Sequence, residues 1–364
     1  MFSKIDKILL VTTIVTLFFG LIIFGSAALG VLAINEAKFY SVIKSQLIFA
    51  LVIGIIALFI GASIPYSFYK KYAYYIFIGA LIFTALVFIP KLSQYHGGAR
   101  RWIDLGSISI QPSESLKLAF TIFMAFWCVR YRNKFRDWKF GLLPYFVGLG
   151  LVSVVMVLQK DFGTLAVILM SSFAVFFTGG ARLKHILIMI VISVLGFSAL
   201  LYVRPYMMER IKTFINPSYD DRGASWQSNQ SLIAIGAGGL FGRGLGQSIQ
   251  KFTYLPEPIG DSVFAVLGEE LGLAGIIIIF ILYGILGFRG YFISFNSEDF
   301  FGLLLGVGIT TIILSQALVN ISAMLGVIPL TGIPLPFVSH GGTALVASLF
   351  EIGILLNISK KQNI

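Results

Sequence analysis

Long apolar runs separated by short polar segments dominate this chain. Ten of the runs are long enough to cross a hydrocarbon core, which is about 30 Å thick and takes roughly 20 helical residues. They cover residues 8–33, 42–63, 72–90, 115–131, 141–159, 162–179, 184–203, 263–287, 299–325 and 342–358. None alternates with period two, and an isolated strand would leave its backbone groups unpaired in lipid, so the pattern predicts helices. The expected fold is an all-α polytopic membrane protein: a single integral-membrane domain over 1–364 with ten transmembrane helices. A large extracytoplasmic loop, 204–262, lies between the seventh and eighth.

Composition agrees: 57% hydrophobic and 12% charged residues exclude an ordinary soluble domain. Positive charge then sets the orientation, because short cytoplasmic loops collect Lys and Arg. With the N-terminus inside, the inner segments hold Lys4 and Lys7, Lys70 and Lys71, Arg130, Arg132, Lys134, Arg136 and Lys139, Arg182 and Lys184, Arg289, and Lys360 and Lys361. Both termini are therefore expected in the cytoplasm. The long segment 204–260 is also basic, but long loops translocate largely regardless of charge. Topology and attraction to anionic membrane lipid account for much of the net charge of +11 without nucleic acid as a partner. The first run is too long for a signal-peptide core and reads as a retained helix. The single cysteine, Cys128, excludes an intrachain disulfide.

Three segments on the outer side carry candidate chemistry. In 91–117, Gly97 and Gly98 permit a tight turn, Trp102 suits an interface, and Pro112 can open a helix with Glu114 in its first turn. Glu114 and Lys117 are three apart and share a helical face, as a staple or facing substrate. Arg101 has no obvious local partner and could clamp phosphate. The second segment, Gln159 to Thr164, breaks two helices; Asp161 and Thr164 could form a plain turn or face a cavity. The third is the loop ending in Asp261, a carboxylate at the mouth of a membrane helix, where an acid costs free energy unless solvated, paired or used. Its glycine-rich run Gly236–Gly246 lacks the strand and helix of a nucleotide site and reads as closely packed, partly re-entrant backbone. Glu269 and Glu270, two turns deeper, require a polar interior, and at least one should pair with a basic group.

Together these residues resemble the SEDS family (shape, elongation, division and sporulation), the peptidoglycan glycosyltransferases that include FtsW and RodA. The resemblance covers nearly the whole chain. It is carried by Arg101-Trp102 with Gln111-Pro112-Ser113-Glu114 and Lys117, by Gln159 with Asp161, Gly163 and Thr164, and by Arg210, Gln230-Ser231, Gly244 to Gly246, Lys251 and Tyr254 to Glu257. Asp261, Gly268 to Gly272, Asn320 and Pro329 to Gly342, which includes Ser339, complete it. Lys160 stands where the family has proline, Ile259-Gly260 where it has His-Thr, and His340 where it has tyrosine. A relay histidine before the acid is thus missing, while His340 is either an interfacial replacement or a second source of imidazole.

The resemblance implies polymerisation of lipid II into glycan strands, with Asp261 as the catalytic general base. It implies substrate contacts from Arg101, Trp102, Gln111, Glu114, Lys117, Asp161, Thr164, Arg210, Gln230, Lys251, Glu257 and Ser339. Arg101, Arg210 and Lys251 would offset the charge of the leaving pyrophosphate. No dedicated metal ligand set is visible, although a divalent cation, Mg or Mn, could share that task. The run around Pro334 and the C-terminal segment lean to the FtsW branch, so septal wall synthesis in the bacterial inner membrane is expected. An elongation polymerase of the RodA type and a lipid II flippase are the alternatives. Either polymerase implies a class B penicillin-binding transpeptidase as partner, together with other division or elongation membrane proteins.

Overall fold

The computed structural model describes residues 5–96, 99–104, 106, 109–203, 205–216 and 224–360. Lys4, Gly97, Gly98, Arg204, Lys361 and the side chain of His96 lie outside the described residues. The chain is a helical bundle. α1 (Lys7–Ile34) is followed by α2 (Glu36–Lys44), which runs through a π-helical stretch, Ser45–Ala50, into α3 (Leu51–Ser63). α4 (Tyr66–Ala85), α5 (Pro112–Arg130), α6 (Leu142–Leu158), α7 (Phe162–Thr178) and α8 (Leu183–Val203) come next. The large loop contains α9 (Pro205–Ile215), α10 (Ala224–Ala237) and α11 (Gln250–Thr253); α12 (Val263–Phe295), α13 (Phe300–Met324) and α14 (Gly342–Ser359) close the chain.

Among the described residues, seven helical segments are long and apolar enough to cross a membrane, and α6 and α7 are shorter apolar helices. α5 has comparable length but carries Glu114, Lys117 and Arg130. One departure from the all-helical expectation lies between α4 and α5. There β1 (Ser93–His96), β2 (Ala99–Asp104) and β3 (Ser109–Ile110) form a small antiparallel sheet in the order β1-β2-β3. These residues lie between the apolar runs, where a short sheet edge need not be sealed from water.

α13 is the buried centre, packed on α5, α7, α12 and α14. In lipid, helices associate through close packing and polar contacts rather than through the exclusion of water. α3 and α14 show how close that is: a Cβ on Gly61 would lie 2.6 Å from the Phe350 carbonyl oxygen, and one on Gly353 2.3 Å from that of Leu58. Asn357 adds polar contacts, accepting the Tyr66 N–H at 3.0 Å and donating to the Ala62 carbonyl at 2.9 Å.

The two ends of the bundle differ. At one, Asp6 caps α1 by accepting the Leu9 N–H at 2.7 Å, pairs with Arg289 of α12, and donates its backbone N–H to Ser359 Oγ of α14 at 3.0 Å. The first and last helices therefore share this end. Asp261 stands at the opposite end of α12, roughly 40 Å from Arg289 along the helix.

Candidate functional site

Asp261 lies two residues before α12, in a loop held by its own backbone. The Glu257 carbonyl accepts the N–H groups of Gly260 at 3.0 Å and Ser262 at 3.3 Å. Glu257 has φ of 47°, a strained value for a side-chain-bearing residue of the kind that functional sites retain. Two further residues share it, Lys160 at 57° and Phe337 at 65°, and both lie in loops between helices. α10 brings Gln227 against the acid: its Nε2 donates to Asp261 Oδ1 at 3.1 Å and to Ser262 Oγ at 2.9 Å. From α13, Asn320 Nδ2 donates to the Asp261 carbonyl at 2.8 Å and to that of Ile333 at 2.7 Å.

Gln227 also lines a cavity of about 330 Å³, together with Arg210, Ser228, Pro256 and Leu330 among others; Asp261 adjoins it through Gln227 and does not line it. Arg210, on α9, donates to the Leu330 carbonyl. Asp261 keeps some exposed surface, yet protein surrounds enough of its carboxyl for burial to push it from 3.8 up to about 6. The Gln227 hydrogen bond and the Arg210 charge pull it down, while the Glu257 charge adds to the rise. Such a carboxylate is ionised at neutral pH and more basic than an ordinary one.

Lys251 sits elsewhere, fully buried. Its Nζ lies 2.6 Å from Glu270 Oε1 and 3.1 Å from Ser26 Oγ of α1. Glu270 also accepts from Ser26, at 2.6 Å and 2.7 Å. Neighbouring Glu269 accepts from Ser248 Oγ at 2.6 Å and from the N–H groups of Ile249 at 3.0 Å and Gln250 at 3.2 Å, and pairs with Arg243 at 3.5 Å. Both glutamates thus pair with a base. The glycine-rich run packs on a break in α12 at Gly272, whose φ of 61° and ψ of −156° only glycine adopts readily. Across the break, Arg243 and Gly244 donate to the carbonyls of Glu269 and Glu270, and Leu273 and Ala274 donate to those of Gly239 and Leu240. Removing either partner of the Lys251–Glu270 pair alone would strand a buried charge, at about 3–5 kcal/mol.

A third group gathers at the starts of α5 and α7. Asp161 caps α7, accepting the Thr164 N–H at 3.2 Å on Oδ1, while Gln111 Nε2 and Ser113 Oγ each donate to Oδ2 at 3.3 Å. Arg101, on β2, donates to the carbonyls of Gln159 and Lys160. Beside it on β2, Trp102 pairs with Gln94 in the sheet register. Lys117 lies 2.8 Å from Glu114 and also bonds Gln316 of α13. Glu351 of α14 is buried close enough to interact electrostatically with both members of that pair.

Of the predicted site residues, Arg210 and Glu257 accompany Asp261. Gln230 lies buried on α10, three residues beyond Gln227. Gln111, Asp161 and Thr164 form one cluster, Glu114 and Lys117 another, and Lys251 pairs with Glu270. Ser339 turns inward, its Oγ accepting the Leu335 N–H at 2.8 Å. His340 donates its backbone N–H to the Ile259 carbonyl at 2.7 Å, and its ring stacks on Phe24 of α1. Burial, helped by Lys38, lowers that imidazole to about 4, so it is neutral at pH 7. Among the described residues no group of three or more His, Cys, Asp or Glu could hold a metal ion.

Gln227, Gln316, Ser26 and Glu351 escaped the sequence reading, and Asn320 entered only through the family pattern. Gln316 and Asn320, four apart on one face of an apolar helix, do carry a signal, since polar groups inside a span face the bundle interior. Gln227 sits in a polar stretch, WQSNQS, that marks no single residue.

Residues 6–364 match a family model described as a cell cycle protein, which groups FtsW, RodA and SpoVE. Stage V sporulation protein E of Bacillus subtilis (strain 168) is 38% identical over 360 residues, covering 98% of this chain and 97% of that protein. The probable peptidoglycan glycosyltransferase FtsW of Geobacter sp. (strain M18) is 34% identical over 357 residues, with 98% and 97% covered. The crystal structure of the Thermus thermophilus rod shape determining protein RodA superposes with a TM-score of 0.72 at 25% identity, over 100% of this chain and 99% of that one. A chain from a peptidoglycan synthase complex that coordinates polymerization and crosslinking has the same fold, with a TM-score of 0.80 at 24% identity and 100% and 99% covered. With the family model and the relatives matching almost end to end, this chain belongs to the SEDS family of FtsW, RodA and SpoVE.

Proposed function

We propose that this protein is a peptidoglycan glycosyltransferase that polymerises lipid II, with Asp261 as the general base. One observation carries the reading: a carboxylate pushed up to about 6 is held by Gln227, which with Arg210 lines a cavity. An acceptor sugar hydroxyl is far too weak an acid to ionise alone at neutral pH, and a positioned base removes its proton as it attacks the anomeric carbon. Arg210 lies on the side where the departing pyrophosphate collects negative charge. Asn320 fixes the main chain of Asp261, so the carboxyl need not be reoriented during the reaction.

The protein is a multi-pass inner-membrane protein. We further propose that α5, α6 and α7 complete ten crossings, that the shared end of α1 and α14 is cytoplasmic, and that Asp261 faces outward. The relatives named FtsW and the family model described as a cell cycle protein support the FtsW branch, at the septum. A class B penicillin-binding transpeptidase is the partner that would cross-link the strands.

The test is polymerisation of lipid II by full-length protein purified with its transpeptidase. Asp261→Asn is expected to lower the rate at least about 100-fold, the usual contribution of a general base. Wild-type polymer yield from that variant would remove the assignment.

A further inference from the structure

The two oxygens of the Asp261 carboxyl have unlike surroundings, and we infer that they have different tasks. Gln227 is a positioning residue that holds Oδ1, and Oδ2 takes the proton of the acceptor hydroxyl. This rests on the reading of Asp261 as the base.

Gln227 Nε2 lies 3.1 Å from Asp261 Oδ1 and 2.9 Å from Ser262 Oγ. An amide nitrogen carries two N–H donors, so both are engaged. The amide is locked in one sense, because half a turn would set its carbonyl oxygen against the carboxylate. Among the described residues no side chain donates a hydrogen bond to Oδ2. On that side lies Gly332, where an added Cβ would sit 3.9 Å from Oδ2. Backbone without a side chain thus leaves room for a sugar hydroxyl to approach this oxygen and not the other.

The choice of glutamine has a chemical reason. A cation in contact with the carboxylate would fix it equally well but would lower its basicity by one to three units or so. A neutral amide orients the group while leaving it basic. Among the described residues, the charged groups that face Asp261 are Glu257, in its own loop, and Arg210, from α9; they act in opposite directions. In the transfer, the acceptor O–H bond breaks and its proton passes to Oδ2. The hydroxyl oxygen bonds to the anomeric carbon, whose bond to the pyrophosphate oxygen breaks, and that electron pair leaves with the pyrophosphate.

The test is the pH dependence of the initial rate of lipid II polymerisation, using full-length protein with its transpeptidase and rates normalised to folded protein by thermal melting. Gln227→Leu removes a hydrogen bond to the ionised form. Its acid limb should move up by about one pH unit, so that the rate is about twofold lower near pH 7, about tenfold lower below about pH 6, and recovers as pH rises. Gln227→Glu should move the limb further, because a like charge opposes ionisation, and Gln227→Asn should restore part of the wild-type profile. A Gln227→Leu profile that keeps its acid limb, or that falls equally at every pH as a merely structural defect would, overturns the proposal. Asp261→Asn is run alongside. Activity in that variant overturns the base and the positioning role together, whereas an inactive Asp261→Asn beside an unshifted Gln227→Leu overturns the positioning role alone.

Discussion

Asp161 and Asp261 are the same residue at nearly the same place, a carboxylate at the start of an apolar helix, and the structure treats them in opposite ways. Asp161 has both oxygens occupied, by the Thr164 N–H on one and by Gln111 and Ser113 on the other. It joins the starts of α5 and α7 and has little capacity left for a substrate. Asp261 is bonded through Oδ1 to Gln227, and no side chain among the described residues donates to Oδ2. Position along the chain does not separate these two acids; the number of donors around each oxygen does.

The sharpest way to break this contrast is to remove each charge and measure polymerisation per folded molecule. Asp261→Asn should lose at least about 100-fold, and Asp161→Asn should stay within several-fold of wild type. Equal losses would erase the distinction. Stability should show the reverse order. Asp161→Ala forfeits a helix cap, worth about 1 kcal/mol, and strands two donors at about 1 kcal/mol or more, so thermal melting in detergent should fall clearly. Asp261→Asn should melt at or above wild type at pH 7. The sign follows from the carboxyl being pushed up: the folded state binds its proton more tightly than the unfolded chain, so ionisation of Asp261 disfavours the fold as pH rises through about 4 to 6.

The wild-type rate should fall about tenfold per pH unit below about 6, as Asp261 takes up its proton. A limb near 4 would place an ordinary, solvated carboxylate at the site. The mildest probe is Gly332→Ala. Its φ of 70° disfavours any side chain, so a loss of about 1 kcal/mol is expected. A several-fold drop in rate from crowding near Oδ2 should accompany it, and a variant melting lower at full rate per folded molecule would show that Oδ2 is not the oxygen approached.

Much of the fold was legible because apolar length is a strong signal. The run 8–33 became Lys7–Ile34, and 115–131 became Pro112–Arg130. The errors have physical causes. The run 263–287 stopped at Arg289, but that charge is paired with Asp6, so α12 continues to Phe295. The run 72–90 started late because Lys70 and Lys71 precede it, although α4 begins at Tyr66, where aromatic residues tolerate an interface. The sheet over Ser93–Ile110 was missed, since short strands between apolar runs leave little periodicity.

The candidate site was legible in part. Asp261 stood out because an acid beside an apolar helix is costly, and at least one of the two following glutamates was expected to pair with a base. Lys251 shows where the reading failed to discriminate. Its partner Glu270 is 19 residues away in sequence and a further one, Ser26, 225 away, so nothing local marked it as an interior cation. Gln227 was silent for a similar reason: 34 residues separate it from Asp261.

The break at Gly272 also bears on leverage. A rigid rod of 33 residues, roughly 50 Å long, would sweep its tip through about 4 Å for a tilt of about 5°. Pinned at Gly272 by four backbone hydrogen bonds to the glycine-rich run, the arm that carries Asp261 is only the stretch Val263–Leu271, roughly 13 Å. The same tilt then moves the carboxyl by about 1 Å, near the scale at which misplacement already costs about 100-fold in rate. A fulcrum set this close to the acid cuts the movement of the carboxyl about fourfold for a given tilt of the long shaft of α12.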